Sequence, residues 1–477
     1  MKKTLLTLLL LGAIRLFGQN YIDTLYTVAD TTVSYGTAVD FAGNVRDLTM
    51  DISWPTNAPA QATGRPLMLV IHGGAFLAGS KDEASIANIR HQFAQRGYVT
   101  AAINYRLGWF QTSSNWNCNI SWIFNQPWNC MNASDTTEWT RGYYRGIQDA
   151  HGAIRYMVNN NSSYFGDIDP MRVFLVGESA GAFIAMGVGY MDDNSEKPAG
   201  VGARPNAPAP NAIYENQCIV TTGLDTSIAS MALARPDLGP ITGTLNLPSA
   251  PYRIAGVGDM YGGTFGDLWG TNANDADIPI LYIFHQPADL IVPFTQQGVL
   301  FGYAYCTTQW PFNCAWILNR PIVYGGSKIK DMIDAHAAAG DSVPLVQAEF
   351  TNNNADCATQ INNPSLGGHQ YDNYWTRTHN MAVFFAQNGM AVSRPEPYNL
   401  QFTVAPNPSR GQFRVTMPAG VQLSGLTVQN LLGQVVHAAP AVGSQVEINL
   451  PSGIAAGTYL LQVETSAGRA VRRIVVE

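Results

Sequence analysis

From Arg65 to Phe284 the chain carries a succession of short, almost uninterrupted apolar runs separated by longer amphipathic stretches. They are Pro66 to His72 (PLMLVIH), Tyr98 to Tyr105 (YVTAAINY), Met171 to Val176 (MRVFLV), Tyr252 to Val257 (YRIAGV) and Pro279 to Phe284 (PILYIF). A strand that is apolar at every position is buried on both faces, the condition of a parallel strand with helices above and below it. Arg145 to Val158 reads as one such helix, with Ile147, Ala150, Ile154 and Met157 on one side. The pattern predicts an α/β fold with a doubly wound, mostly parallel sheet.

A chain of 477 residues is too long for one core. After Arg394 the rhythm changes: Pro395, Pro397, Pro406 and Pro408 mark a stiff connection, and short alternating runs follow. These run from Phe413 to Met417, Leu426 to Gln429, Gln434 to Ala438, Gln445 to Leu450, Thr458 to Glu464 and Val471 to Val476. They predict a small C-terminal all-β sandwich. At the other end, Met1-Lys2-Lys3 precedes an apolar run from Leu5 to Ile14 and a small-residue exit at Gly18, the pattern of a cleaved signal peptide. The run is shorter than the roughly 20 residues that span a bilayer, so the mature chain is expected to have no membrane span. The expected division is residues 1–18 as signal peptide, 19–394 as the α/β domain, 395–404 as linker and 405–477 as the sandwich.

The formal charge is −7, only 13% of residues are charged, and no Lys/Arg cluster extends beyond Arg472-Arg473. Nucleic acid and acidic membrane surfaces are therefore excluded as partners, and a neutral substrate is expected. All six Cys follow the signal segment, which suits an oxidising compartment. Cys118 with Cys130 and Cys306 with Cys314 bracket short aromatic loops; Cys218 and Cys357 remain as a pair or as two buried thiols. No CxxC spacing points to a metal, and none is expected. HExxH, Walker A and EF-hand patterns are missing, Gly256-Val257-Gly258 lacks a third spaced glycine, and the acidic stretch Asn272 to Asp277 reads as a solvated loop. No cofactor is expected.

Gly177-Glu178-Ser179-Ala180-Gly181 follows directly on the run MRVFLV and precedes the helix-like FIAMGVGYM. A sharp strand-to-helix turn lifts a serine hydroxyl clear of the sheet, and glycines two before and two after it let the elements approach closely. Ser179 is thus the candidate nucleophile. His72-Gly73-Gly74-Ala75-Phe76 ends an earlier run, where backbone N–H groups can face a reacting carbonyl. Gly74, Ala75 and Ala180 are the candidate oxyanion-hole donors, with His72 in a structural hydrogen bond.

Together HGGAFLAG, NYRLG (Asn104 to Gly108) and GESAG resemble the carboxylesterase and acetyl or feruloyl esterase branch of the α/β-hydrolases, over roughly Asp47 to Asn388. Asp149 and Asp169-Pro170 match scaffold positions of that family. The resemblance implies the chain order Ser, acid, His. Asp289, straight after PILYIF in His285-Gln286-Pro287-Ala288-Asp289, is then the acid, whereas Asp275 and Asp277 precede that run. Of the eight His, those beyond the acid and inside the α/β domain are His336, His369 and His379. His336 and His379 fall within helical patterns. His369 ends a polar loop and is the expected base, with His379 as the alternative.

Ala405-Pro406-Asn407-Pro408-Ser409-Arg410-Gly411, Leu431 to Val436, Gly457-Thr458-Tyr459-Leu460 and Arg472 to Glu477 resemble the type IX secretion sorting domain of Bacteroidetes. That implies the secretion machinery as a partner and a secreted or cell-surface destination reached through the periplasm. A carbohydrate-binding or adhesive sandwich is the other reading. The two resemblances together imply a secreted serine carboxylic-ester hydrolase acting on a small-molecule or polysaccharide-linked ester. The alternatives are a serine peptidase with the same residues, or a non-catalytic binding protein on a hydrolase scaffold. Trp116, Trp122 and Trp128, in an insertion between strand and helix, are the candidate substrate contacts.

Overall fold

The computed structural model describes residues 21–41, 43–61, 63–109, 136–161, 167–205, 234–269, 277–300, 321–351, 368–390, 402–417, 422–430, 435–451, 453–465 and 468–477. The signal segment, all six Cys, the three candidate tryptophans and most of the acidic stretch after Asn272 lie outside these residues. The chain forms two compact units, Met1–Ala391 and Val392–Glu477.

The first unit begins with β1 (Val28–Val39), β2 (Val45–Pro55), β3 (Arg65–Ile71), α1 (Ala84–Gln95), β4 (Val99–Ile103) and α2 (Thr136–Asn159). Next come β5 (Ile168–Glu178), α3 (Ala180–Tyr190), β6 (Ile254–Met260), the two-residue β7 (Gly263–Thr264), β8 (Ile280–His285) and β9 (Gln296–Gly298). It closes with β10 (Ile322–Gly325), α4 (Gly326–Ala339), β11 (Val346–Phe350) and α5 (Tyr374–Asn388). Eight strands make one sheet in the order β1-β2-β4-β3-β5-β6-β8-β11. β1, β2 and β4 pair antiparallel, and every pairing from β4 to β11 is parallel.

The central strands are double-faced, as their composition requires. Every residue of β3 is buried, with Leu67, Leu69 and Ile71 facing the α2 and α3 side and Met68 and Val70 facing α1 and α5. On the second face they meet Ile86, Ile89 and Phe93 of α1 and Met381 and Phe385 of α5. Each such aliphatic side chain contributes roughly 1.5–3 kcal/mol. The doublet Gly256 and Gly258 lies inside β6, where a Cβ on Gly258 would stand 2.5 Å from Met381 Sδ. It makes room for α5 and forms no loop.

Two expectations are corrected in extent. α2 begins before Arg145, and nearly all of its residues are buried, including Glu138, Arg141 and Arg145. Two of these find partners inside the protein: Arg235 pairs with Glu138 at 3.1 Å, and Arg141 donates to the carbonyls of Gly202 and Pro236. Apolar periodicity therefore understates the helix. The hairpin of β1 and β2 precedes the first run read from the sequence, and β1 alternates partly exposed polar positions, so it carries no continuous apolar signal.

The second unit contains β12 (Thr403–Ala405), β13 (Gln412–Thr416), β14 (Leu423–Asn430), β15 (Val435–Gly443), β16 (Gln445–Asn449), β17 (Gly457–Thr465) and β18 (Gly468–Val476). They form two antiparallel sheets, β12-β13-β16 and β15-β14-β17-β18. Phe413, Val415 and Ile448 of one pack with Leu426, Val428, Leu461 and Ile474 of the other, as the two-residue alternation predicts.

Candidate active site

Ser179 sits between the end of β5 and the start of α3 with φ 53° and ψ −120°. A non-glycine residue pays strain to adopt this conformation, and its neighbours hold it there. The Ser179 N–H donates to the Met260 carbonyl at 2.9 Å. A Cβ on Gly177 would fall 2.1 Å from the Gly181 carbonyl carbon, and one on Gly181 would fall 2.1 Å from the Ile71 oxygen. Strand and helix thus touch through their backbones, and the N-terminus of the apolar helix α3 lies directly behind the hydroxyl. Anionic charge is favoured at that end.

β8 delivers a buried Asp289 through a short turn. One carboxylate oxygen, Oδ1, accepts from the N–H groups of Ile291 at 2.8 Å and Val292 at 3.0 Å. The other, Oδ2, lies 2.7 Å from His369 Nδ1, and His369 Nε2 lies 2.8 Å from Ser179 Oγ. Burial pushes the Asp289 carboxyl up, but the facing His369 and the hydrogen bonds from His285 and His369 outweigh it, leaving it below the usual carboxylate range. The Tyr261 ring stands edge-on to His369 at 5.0 Å. Gln286 holds the next residue of the histidine loop, donating to the Gln370 carbonyl at 2.7 Å.

His379 and His336, the other histidines that follow the acid in this unit, lie elsewhere. His379 is exposed on α5, and His336 on α4 bridges Asp267 at 2.9 Å and Asp341 at 2.7 Å. Burial holds His151 down at about 3, where its Nδ1 lies 2.6 Å from the Tyr252 hydroxyl. Burial likewise holds His72 at about 4; its Nδ1–H donates to the Gly73 carbonyl at 2.7 Å, and its ring stacks on Tyr105 at 4.4 Å.

The loop after β3 is a second strained turn, with φ of 101° at Gly74, 55° at Ala75 and 61° at Phe76. The Gly74 carbonyl accepts from Leu77 at 2.9 Å and from Ala78 at 3.0 Å, while Gly108 donates to the Phe76 carbonyl at 2.8 Å. The Phe76 ring is buried among Trp109, Trp139, Tyr143, Phe183 and Phe265, which anchors the turn. A Cβ on Gly73 would stand 3.2 Å from Ser179 Cβ, so the loop runs beside the hydroxyl. Among the described residues, none accepts a hydrogen bond from the N–H of Gly74, Ala75 or Ala180. Asp149 and Arg106 brace this region with a bidentate pair whose shortest contact is 2.7 Å.

Sequence reasoning missed a cluster behind the serine. Glu178 is fully buried; its Oε1 accepts from the Tyr371 hydroxyl at 2.8 Å and its Oε2 from the Ser85 hydroxyl at 2.7 Å. Burial raises its carboxyl above the usual range, and the hydroxyls of Ser85, Tyr371 and Tyr261 pull against that rise. The available signal is a carboxylate two residues past the apolar run Val173 to Val176.

Residues 50–126 match the family BD-FAE, and residues 403–477 match the Secretion system C-terminal sorting domain. The chain is 33% identical over 135 residues to the Neuroligin-like protein glit-1 of Caenorhabditis elegans, a stretch covering 28% of this chain and 15% of that protein. It is 30% identical over 128 residues to the Probable isoprenylcysteine alpha-carbonyl methylesterase ICMEL1 of Oryza sativa subsp. japonica, covering 27% of this chain and 22% of that protein. The chain thus spans less than a quarter of the length of either curated relative. A solved structure described as a truncated form of carbohydrate esterase from gut microbiota aligns at 16% identity and a TM-score of 0.38, over 77% of this chain and 98% of that one. Thermogutta terrifontis esterase 2 phosphonylated by cyclosarin aligns at 14% and 0.37, over 76% and 95%. The chain thus carries, within its α/β unit, a segment similar to the BD-FAE family and, at residues 403–477, a type IX sorting domain, the mark of export to the cell surface or beyond.

Proposed function

We propose that the protein is a serine carboxylic-ester hydrolase in which Ser179, His369 and Asp289 form the catalytic triad. The observation that carries this is the unbroken relay from Ser179 Oγ to His369 Nε2 at 2.8 Å and from His369 Nδ1 to Asp289 Oδ2 at 2.7 Å. In this reading the serine hydroxyl donates to Nε2, and the Nδ1 proton is held by the carboxylate, which fixes the tautomer that can accept. As Oγ attacks the ester carbonyl, its proton passes to Nε2 and the carbonyl electron pair moves to oxygen. That oxyanion is received by the N–H groups of Gly74, Ala75 and Ala180, which need no rearrangement. The imidazolium then returns its proton to the leaving alcohol as the C–O bond breaks. Water, deprotonated by the same Nε2, attacks the acyl-enzyme and releases acid and free serine.

A neutral ester, free or linked to a polysaccharide, suits a chain with few charged residues. Turnover of p-nitrophenyl acetate beside the matching p-nitroanilide tests the reaction class. Ester turnover at least about a hundredfold faster than amide turnover, lost in Ser179→Ala with the circular dichroism spectrum unchanged, is the expected result. Comparable rates on the two substrates would favour a peptidase.

A further inference from the structure

One buried ionisable side chain at the site has no part in the mechanism above. His285, the last residue of β8, is 0% exposed. Its Nδ1 lies 3.0 Å from the N–H of Gly326, the first residue of α4. An amide N–H only donates, so Nδ1 accepts and the ring proton sits on Nε2. Nε2 in turn lies 3.2 Å from Asp289 Oδ2 and 3.1 Å from the Val292 carbonyl, both acceptors. Oδ2 is the same oxygen that takes the His369 Nδ1 proton at 2.7 Å. The ring has no room to turn: a Cβ on Gly326 would stand 2.9 Å from His285 Cβ, and Phe294 closes edge-on at 5.6 Å.

We propose that His285 is a positioning residue, whose Nε2–H keeps the Asp289 carboxylate ionised and aimed at His369. This rests on the triad reading. A carboxyl taken wholly out of water prefers its neutral form unless donors surround it. Backbone N–H groups satisfy Oδ1, so His285 and His369 are what hold Oδ2. His369 gains and gives its proton at Nε2 while its Nδ1–H stays on Oδ2, and His285 is the donor whose charge does not change through the cycle. The charged and titratable groups facing this pair are His369 from its loop, Asp259 from β6 and the Tyr261 hydroxyl.

Without the His285 donor, Oδ2 is more basic and grips the His369 proton harder, so the imidazole protonates at higher pH and its aim loosens. Two variants separate this from packing. In His285→Asn the side-chain oxygen can still accept from Gly326, but no donor reaches Asp289. In His285→Gln the amide nitrogen reaches the place of Nε2 and can donate. Both are made in an Asp259→Asn background, so that Asp259 does not titrate within the profile. Against that background, His285→Asn is expected to lower kcat/KM for p-nitrophenyl acetate about tenfold, chiefly through kcat, and to move the acidic limb up by about one pH unit. His285→Gln is expected to restore most of both. An unmoved limb, or a Gln variant no better than Asn, overturns the proposal. Nitrogen-15 NMR of histidine-labelled wild-type protein reads the tautomer without any variant: a proton on His285 Nε2 supports the proposal and one on Nδ1 overturns it. Ser179→Ala is assayed alongside to keep the two apart: turnover surviving there sinks the triad reading on which this proposal rests, whereas Ser179-dependent turnover with an unmoved limb sinks this proposal alone.

Discussion

The Tyr371 hydroxyl donates to Glu178 Oε1 at 2.8 Å, joining the residue before the elbow serine to one two positions past His369. The Tyr371 ring stacks on Phe284 at 5.8 Å and meets Tyr261 edge-on at 5.2 Å. Tyr261 itself stands against the His369 imidazole. Tyr371→Phe keeps these ring contacts and removes one hydrogen bond to a buried carboxyl. The expected outcome is a fall of about tenfold in kcat/KM for a short ester with thermal stability nearly retained. An unchanged rate would show that the tie does not position the histidine loop.

Gly181 has no space for a side chain, since its Cβ would meet Ile71 and His72 carbonyl oxygens at 2.1 and 2.5 Å. Backbone on both sides leaves nothing flexible to move aside. Gly181→Ala is expected to destabilise the protein by about 3 kcal/mol or more and to lower its midpoint of thermal unfolding by several degrees. A loss of activity with an unchanged midpoint would contradict the close-contact account.

Asp259 is a buried carboxyl whose Oδ1 accepts from the Gly262 N–H while Oδ2 has no hydrogen-bond partner among the described residues. Burial pushes it up to about 6 against the pull of His285 and that N–H. In the unfolded chain an aspartate titrates near about 3.9. The folded form therefore holds the proton more tightly, and the stability fully present below the unfolded value is lost as pH rises through about 6. Asp259→Asn is expected to raise stability at pH 8 by up to about 2–3 kcal/mol and to flatten the decline between pH 4 and 6. Urea unfolding across that range checks it, and an unchanged slope would contradict it.

Strands that are apolar almost throughout, such as β3 and β4, are legible in the sequence because burial on both faces leaves few polar positions. The elbow is legible because Gly177 and Gly181 flank the one serine between an apolar strand and an apolar helix. β11 is not, since Val346–Phe350 is only partly buried and alternates weakly. Among site residues, Ser179, Asp289 and His369 stand out as candidates because each follows or ends a recognisable element. Glu178, Tyr371 and His285 do not, because what distinguishes them is a contact made across the fold. Tyr371 and Glu178 are 193 residues apart, and Gly326 and His285 are 41 apart. The sorting domain is legible because its strands alternate cleanly and each of its motifs is local.

The central claim is that Ser179 is an activated nucleophile. Intact-mass spectrometry after treatment with a fluorophosphonate, followed by peptide mapping, tests it directly. One phosphonyl adduct per chain on Ser179, absent in Ser179→Ala and strongly slowed in His369→Ala, is the result expected. No adduct on correctly folded wild-type protein, or an adduct on another residue, would contradict it.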